Sequence, residues 1–167
     1  CSGWYGANLL KNSVKEELSV MKEQLDLFKE CDAPCIVFAE VSGSIQGEVK
    51  TPLSKRPILN KEEWKTFYYK INEISKYMED SDMPLAYHHH MGTVVQSQED
   101  TERLIDNTSD TVRLLIDTGH MMFAGGDFVK IAKDYSSRLH HIHCKDIRKD
   151  VLENSLKNDL SFIDAFF

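Results

Sequence analysis

Apolar residues recur along this chain in two alternating patterns: stripes at helical spacing, and short continuous runs that each close on a polar side chain. Between Ser13 and Glu30, Val14, Leu18, Met21, Leu25 and Phe28 return every three or four positions, the spacing of one helix face. Ser13 and Glu16 can cap that helix reciprocally. Ala33 to Glu40 is then an apolar run with a proline near its start, the composition of a parallel strand buried on both faces. Asn60 and Glu63 make a second capping box, ahead of a core stripe of Trp64, Phe67, Tyr68, Ile71, Ile74 and Met78. The Pro-led strand pattern returns at Met83 to His90, a helix follows from Gln98 to Asn107, and Val112 to Asp117 is the next apolar strand. Gly125-Gly126-Asp127 turns into a short helix bearing Phe128, Ile131, Ala132 and Tyr135, and Arg138 to Asp146 reads as a further strand. The opening Cys1 to Gly6 reads as a strand end, and Val151 to Phe167 as helix with a break near Asn158-Asp159.

Strand and helix therefore alternate, and no two-residue hairpin signal interrupts them. Each crossover contains a helix, so the strands are expected to be parallel, with ligands gathering at their carboxyl ends. Glu40, His90, Asp117 and His143 each close a different run, so parallel pairing would bring them to one rim. Carboxylates beside imidazoles suit a borderline divalent ion such as Mn²⁺, Co²⁺ or Zn²⁺ better than Mg²⁺ or Ca²⁺, which prefer oxygen alone. His88 and His141 lie one pleat deeper on the faces of His90 and His143, where hydrogen bonding is expected, and His89 and His140 should face the helices. Lys145, one pleat beyond His143, and Arg148 point toward the rim as proton donors or substrate contacts. The long connection from Val41 to Asn60 carries apolar residues and reads as an ordered functional loop.

Composition narrows the class. The chain has 167 residues, 41% of them hydrophobic and 28% charged, which is one globular domain with a core of its own. No apolar run approaches the roughly 20 residues of a membrane span, and no signal peptide opens the chain, so a cytoplasmic location without membrane contact is expected. A formal net charge of −7 argues against a phosphate-backbone binder and hence against nucleic acid. The four cysteines, Cys1, Cys31, Cys35 and Cys144, are expected to be reduced thiols. A first residue other than Met, and an apolar helix face still running at Phe167, lead us to expect a piece of a longer chain.

Glu40, the Asp117-Thr-Gly-His120 motif and the run His141-Ile-His-Cys-Lys-Asp146 resemble the metal-binding strands of the xylose-isomerase-like sugar isomerase and epimerase barrels. Within that superfamily, Ser44 to Gly47, Thr51 to Pro57, Tyr87 to Thr93, Leu115 to Asp127 and His143 to Asp146 resemble the inosose dehydratase family, loops included, over essentially the whole chain. The resemblance implies an α/β fold, a (β/α)₈ TIM barrel of about 250 residues. Residues 1–167 would form a single partial TIM-barrel domain, an incomplete barrel running from the end of the third strand through the helix after the seventh. The implied metal ligands are Glu40, Asp117 and His143, with a further glutamate on an eighth strand that this chain lacks, and the implied ion is Mn²⁺ or Co²⁺.

The implied activity is that of a hydro-lyase of inositol catabolism, which dehydrates 2-keto-myo-inositol through an enolate and loss of a β-hydroxyl. His90, His120 and Lys145 become candidates for base and acid. Ser44, Gln46, Arg56, His88, His120 and Arg148 become candidates for binding the polyol ketone. Two alternatives stand beside it, a metal-dependent isomerase or epimerase of the same superfamily and a noncatalytic metal- or sugar-binding fragment. Either is compatible with a homo-oligomer.

Overall fold

A computed structural model describes residues 3–166, and among them five parallel strands lie in the order in which the chain makes them. Cys1 and Phe167, named above among the thiols and in the last helix, lie outside the described residues. The elements are β1 (Gly3–Ala7), α1 (Val14–Glu30), β2 (Ile36–Glu40), α2 (Lys61–Asp80), β3 (Leu85–His88), α3 (Gln98–Asp106), β4 (Val112–Asp117), α4 (Thr118–Phe123), α5 (Phe128–Asp134), β5 (Leu139–His143) and α6 (Lys149–Lys157). The capping boxes read from Ser13/Glu16 and Asn60/Glu63 are both formed, and Ser97 with Asp100 forms a third at α3. Each satisfies helix N–H groups that would otherwise lack partners, an effect of about 1 kcal/mol.

Three elements differ from the sequence expectation. The run from Ala33 joins the sheet only at Ile36, because the chain leaves α1 through Asp32 in the left-handed region, φ 51°. The last helix closes at Lys157, where Asp159, φ 45°, turns the chain, and 162–166 follow as turns. Asp117 does more than close its strand: its Oδ1 accepts the His120 N–H at 3.0 Å and caps α4, a short helix that no apolar stripe marks in the sequence.

The sheet has two dissimilar faces, and the alternation of side chains assigns each residue to one of them. Ile36 and Phe38 of β2, Leu85 and Tyr87 of β3, and Tyr5 and Ala7 of β1 pack with Met21 and Leu25 of α1 and Trp64, Phe67 and Ile71 of α2. Leu114 and Ile116 of β4 pack on the same side with Ile105, Met121 and Ile131. Burial of each such large side chain contributes about 1.5–3 kcal/mol, so this layer between sheet and helices holds the fold. On the opposite face Val37, Ala86 and Leu115 form a small cluster with Cys35. His88 follows Ala86 by two positions, Asp117 follows Leu115 by two, and the parallel register sets Asp117 beside His143. Cys31 and Cys144 are exposed thiols.

Candidate functional site

Three side chains meet where β3, β4 and β5 end. His88 Nε2 lies 3.2 Å and His143 Nδ1 3.3 Å from the same atom, Asp117 Oδ2, and one ligand atom from each of the three residues falls within 4.8 Å of the others. Two ligands each about 2.1 Å from an ion, at angles between about 90° and 109°, would lie roughly 3.0–3.4 Å apart, so the spacing suits a cation. His88 Nε2 is the nitrogen that faces the carboxylate, while its Nδ1 is buried with no hydrogen-bond partner. Two imidazoles and one carboxylate form the mixed N/O set of a borderline divalent ion.

The electrostatics of Asp117 are set by its neighbours. Its burial disfavours the charge, yet hydrogen bonds from His88 and Lys145, with the His120 N–H, hold the carboxyl well below the usual range, so it is an anion. Lys145 Nζ donates to Asp117 Oδ2 and stands 3.3 Å from His120 Nε2. Gly119 makes room for this lysine, since a Cβ there would come within 2.8 Å of Lys145 Cβ.

His90 and His120 stand next to the triad with ring centroids 3.8 Å apart. Burial pushes His90 down to about 4 and His120 down to about 2, so both are neutral near pH 7. His90 Nδ1 lies 2.8 Å from the Met91 carbonyl; that acceptor fixes the proton on Nδ1 and leaves Nε2 with a free lone pair. With Trp4, Gln46, His88, His143 and Lys145, His90 borders an open cleft of about 790 Å³, whereas His120 lines a neighbouring side cavity of about 210 Å³. His89 and His140 turn to the helix-bearing side: His89 Nε2 accepts the Asp117 N–H at 3.2 Å, and His140 lies 3.3 Å from Arg113.

Several expected members stand elsewhere. Glu40 shares its face with Ile36 and Phe38, toward the helices, and its carboxylate accepts the N–H groups of Leu9 at 2.6 Å and Ser42 at 2.8 Å. It is outside the triad, and His88, expected as a substrate contact, occupies the third place. Arg56 is likewise diverted from ring hydroxyls. Its guanidinium pairs with Asp100 at 2.8 Å and donates to the carbonyls of Thr93 and Val94, clamping the loop after β3. Ser44 Oγ accepts the Gln46 N–H at 3.2 Å and does not border the cleft, whereas Gln46 does. Arg148 borders the same side cavity as His120, beyond Lys145. Phe162, which no pattern in the sequence marked, lies 5.1 Å from the His90 ring and 5.3 Å from that of His120. The connection from Val41 to Asn60 reaches it because Leu53 and Ser54 hydrogen-bond to Leu160 and Asp159.

The family model for the xylose isomerase-like TIM barrel matches residues 2–162. The chain belongs to the xylose isomerase-like TIM barrel family. Its sheet is part of such a barrel, the triad lying at the strand ends where the family's fold gathers ligands. The chain is 38% identical over 164 residues to the rhizopine catabolism protein MocC of Rhizobium meliloti, covering 98% of this chain and 50% of that protein. It is 38% identical over 164 residues to an inosose dehydratase of Clostridium perfringens, covering 97% of this chain and 55% of that enzyme. It thus spans about half the length of the curated relatives it matches. Among solved structures, the probable 3-DHS dehydratase AsbF of Bacillus anthracis superposes with a TM-score of 0.68 at 14% identity, over 89% of this chain and 50% of that one. The IolI protein with a bound zinc atom superposes at 0.56 and 17% identity, over 77% and 44%. At such identities these likenesses concern the barrel fold.

Proposed function

We propose that this chain carries the catalytic rim of a metal-dependent hydro-lyase that dehydrates inosose, 2-keto-myo-inositol, in inositol catabolism. The observation that carries the reading is the convergence of His88, Asp117 and His143 on one point beside two neutral histidines, in a chain 38% identical to an inosose dehydratase over nearly its full length. His88, Asp117 and His143 would hold the ion, with Mn²⁺, Co²⁺ and the zinc of the IolI structure as the candidates. When bound, such an ion supplies a Lewis acid that polarises the ring ketone and favours loss of the neighbouring proton.

The chain's own residues divide the remaining work. His90 Nε2, its lone pair free, takes the proton from the carbon beside the ketone. The C–H electron pair becomes the new C=C bond as the C–O bond to the β-hydroxyl breaks. Lys145, beside His120 Nε2, gives the proton with which that hydroxyl leaves as water. Trp4 and Phe162 line the cleft, and Gln46, which lines it too and whose Oε1 has no hydrogen-bond partner, would accept from a ring hydroxyl. Arg56 positions the His90 loop.

Incubating the whole protein with 2-keto-myo-inositol and Mn²⁺, then weighing the product, tests the proposal. Dehydration removes one water from the substrate mass. A product of unchanged mass would make the protein an isomerase or epimerase instead, and unaltered turnover in metal-stripped buffer would sink the metal reading.

A further inference from the structure

Asp117 has one oxygen to offer a cation. Oδ1 is committed to the His120 N–H as the cap of α4, and Oδ2 alone faces both imidazoles. Lys145 Nζ donates to that same Oδ2. We propose that Lys145 is a resident counter-cation of Asp117 that a divalent ion displaces, so that metal binding delivers the ammonium group to the substrate side of the cleft. This inference rests on the metal-dependent reading above.

The lysine is built as a fixed base with a movable tip. Its backbone is locked to the residue after Asp117: the Lys145 N–H donates to Thr118 Oγ1 at 2.8 Å, and that hydroxyl donates back to the Lys145 carbonyl at 2.7 Å. Gly119 leaves space for the stem at its root. The side chain beyond it is 48% exposed, against 0% for Asp117, so the tip can leave the carboxylate without leaving water. It has a second acceptor within reach, His120 Nε2 at 3.3 Å, and it borders both the cleft and the side cavity. An ammonium and a divalent ion repel each other strongly at one buried oxygen, so the two states exclude one another. The acid of the proposed elimination therefore reaches the substrate only once the ion has taken its place, which orders binding as metal first, substrate second.

Calorimetric titration of Mn²⁺ into the full chain and its Lys145→Met variant tests this without turnover. The variant, freed of the competing cation, is expected to bind Mn²⁺ at least tenfold more tightly, while Asp117→Asn binds none. Equal or weaker binding by Lys145→Met would overturn the displacement and leave the metal site standing. Absence of binding by both wild type and variant would overturn the metal reading and this inference together. A second measurement guards against a variant that does not fold. Acetylation of Lys145 in the wild type, read by peptide mass against exposed Lys133, should rise at least threefold when Mn²⁺ saturates the site, and an unchanged ratio would overturn the proposal.

Discussion

Glu40 Oε2 accepts the Leu9 backbone N–H at 2.6 Å, tying the end of β2 to the loop that leaves β1. The other oxygen takes the Ser42 N–H at 2.8 Å, so both are spent on backbone groups inside the protein. Glu40→Gln keeps one acceptor and sets an NH₂ donor against the second N–H. Leaving one buried donor unsatisfied costs about 1–3 kcal/mol. Urea denaturation should show a loss of that size, while the Mn²⁺ response of the folded variant stays as in wild type. Loss of that response with unchanged stability would return Glu40 to the ion.

His88 makes the opposite prediction. An ion present at about one hundred times its dissociation constant stabilises the folded state by about 2.7 kcal/mol. Thermal unfolding with and without Mn²⁺ should show this increment in wild type and none in His88→Ala, Asp117→Asn or His143→Ala. An increment preserved in His88→Ala would remove His88 from the ligand set.

Arg56 and Asp100 form an ion pair 2.8 Å long, each side chain only 14% exposed, with two carbonyls of the loop after β3 completing the guanidinium's contacts. Arg56→Met leaves Asp100 without its cation. Removing one partner of a mostly buried pair is expected to cost about 3–5 kcal/mol. Limited proteolysis should then cut within residues 91–97 faster than in wild type, and kcat should fall more than KM rises, because His90 loses its support rather than the substrate a contact.

The neutral histidines set a pH dependence. His89, His90 and His120 are held by burial at about 3, 4 and 2, against an ordinary value of 6.5. Between pH 6.5 and about 4 the unfolded chain binds protons at these sites and the folded chain does not. Stability therefore rises with pH across this window and is lost as pH falls through it. Asp117, whose carboxyl is shifted downward, keeps its contribution until pH drops below the unfolded value of 3.8, so the window belongs to the histidines. Unfolding free energies from urea titrations in chelator should fall between pH 6.5 and 4.5, each of the three rings contributing up to about 1.4 kcal/mol per pH unit. A flat profile would mean that the rings protonate in the folded state.

Local pattern along the chain sufficed for the elements and their order. Helix-spaced apolar stripes and reciprocal caps depend on neighbours three or four residues away, so α1, α2 and α3 were legible locally. Strands linked through helices had to run parallel, which brought the ends of β3, β4 and β5 together and placed Asp117 beside His143. Only the tertiary structure decided which face each strand end presents. β2 and β3 are buried on both sides, so hydrophobicity carries no phase, and a shift of one residue exchanges the two faces. Packing against α1 and α2 took Ile36, Phe38 and Glu40 to the helices and left His88 to face Asp117. The partners of Arg56 and the arrival of Phe162 beside His90 were likewise hidden, because each contact joins residues far apart in the chain and exists only once the sheet has assembled.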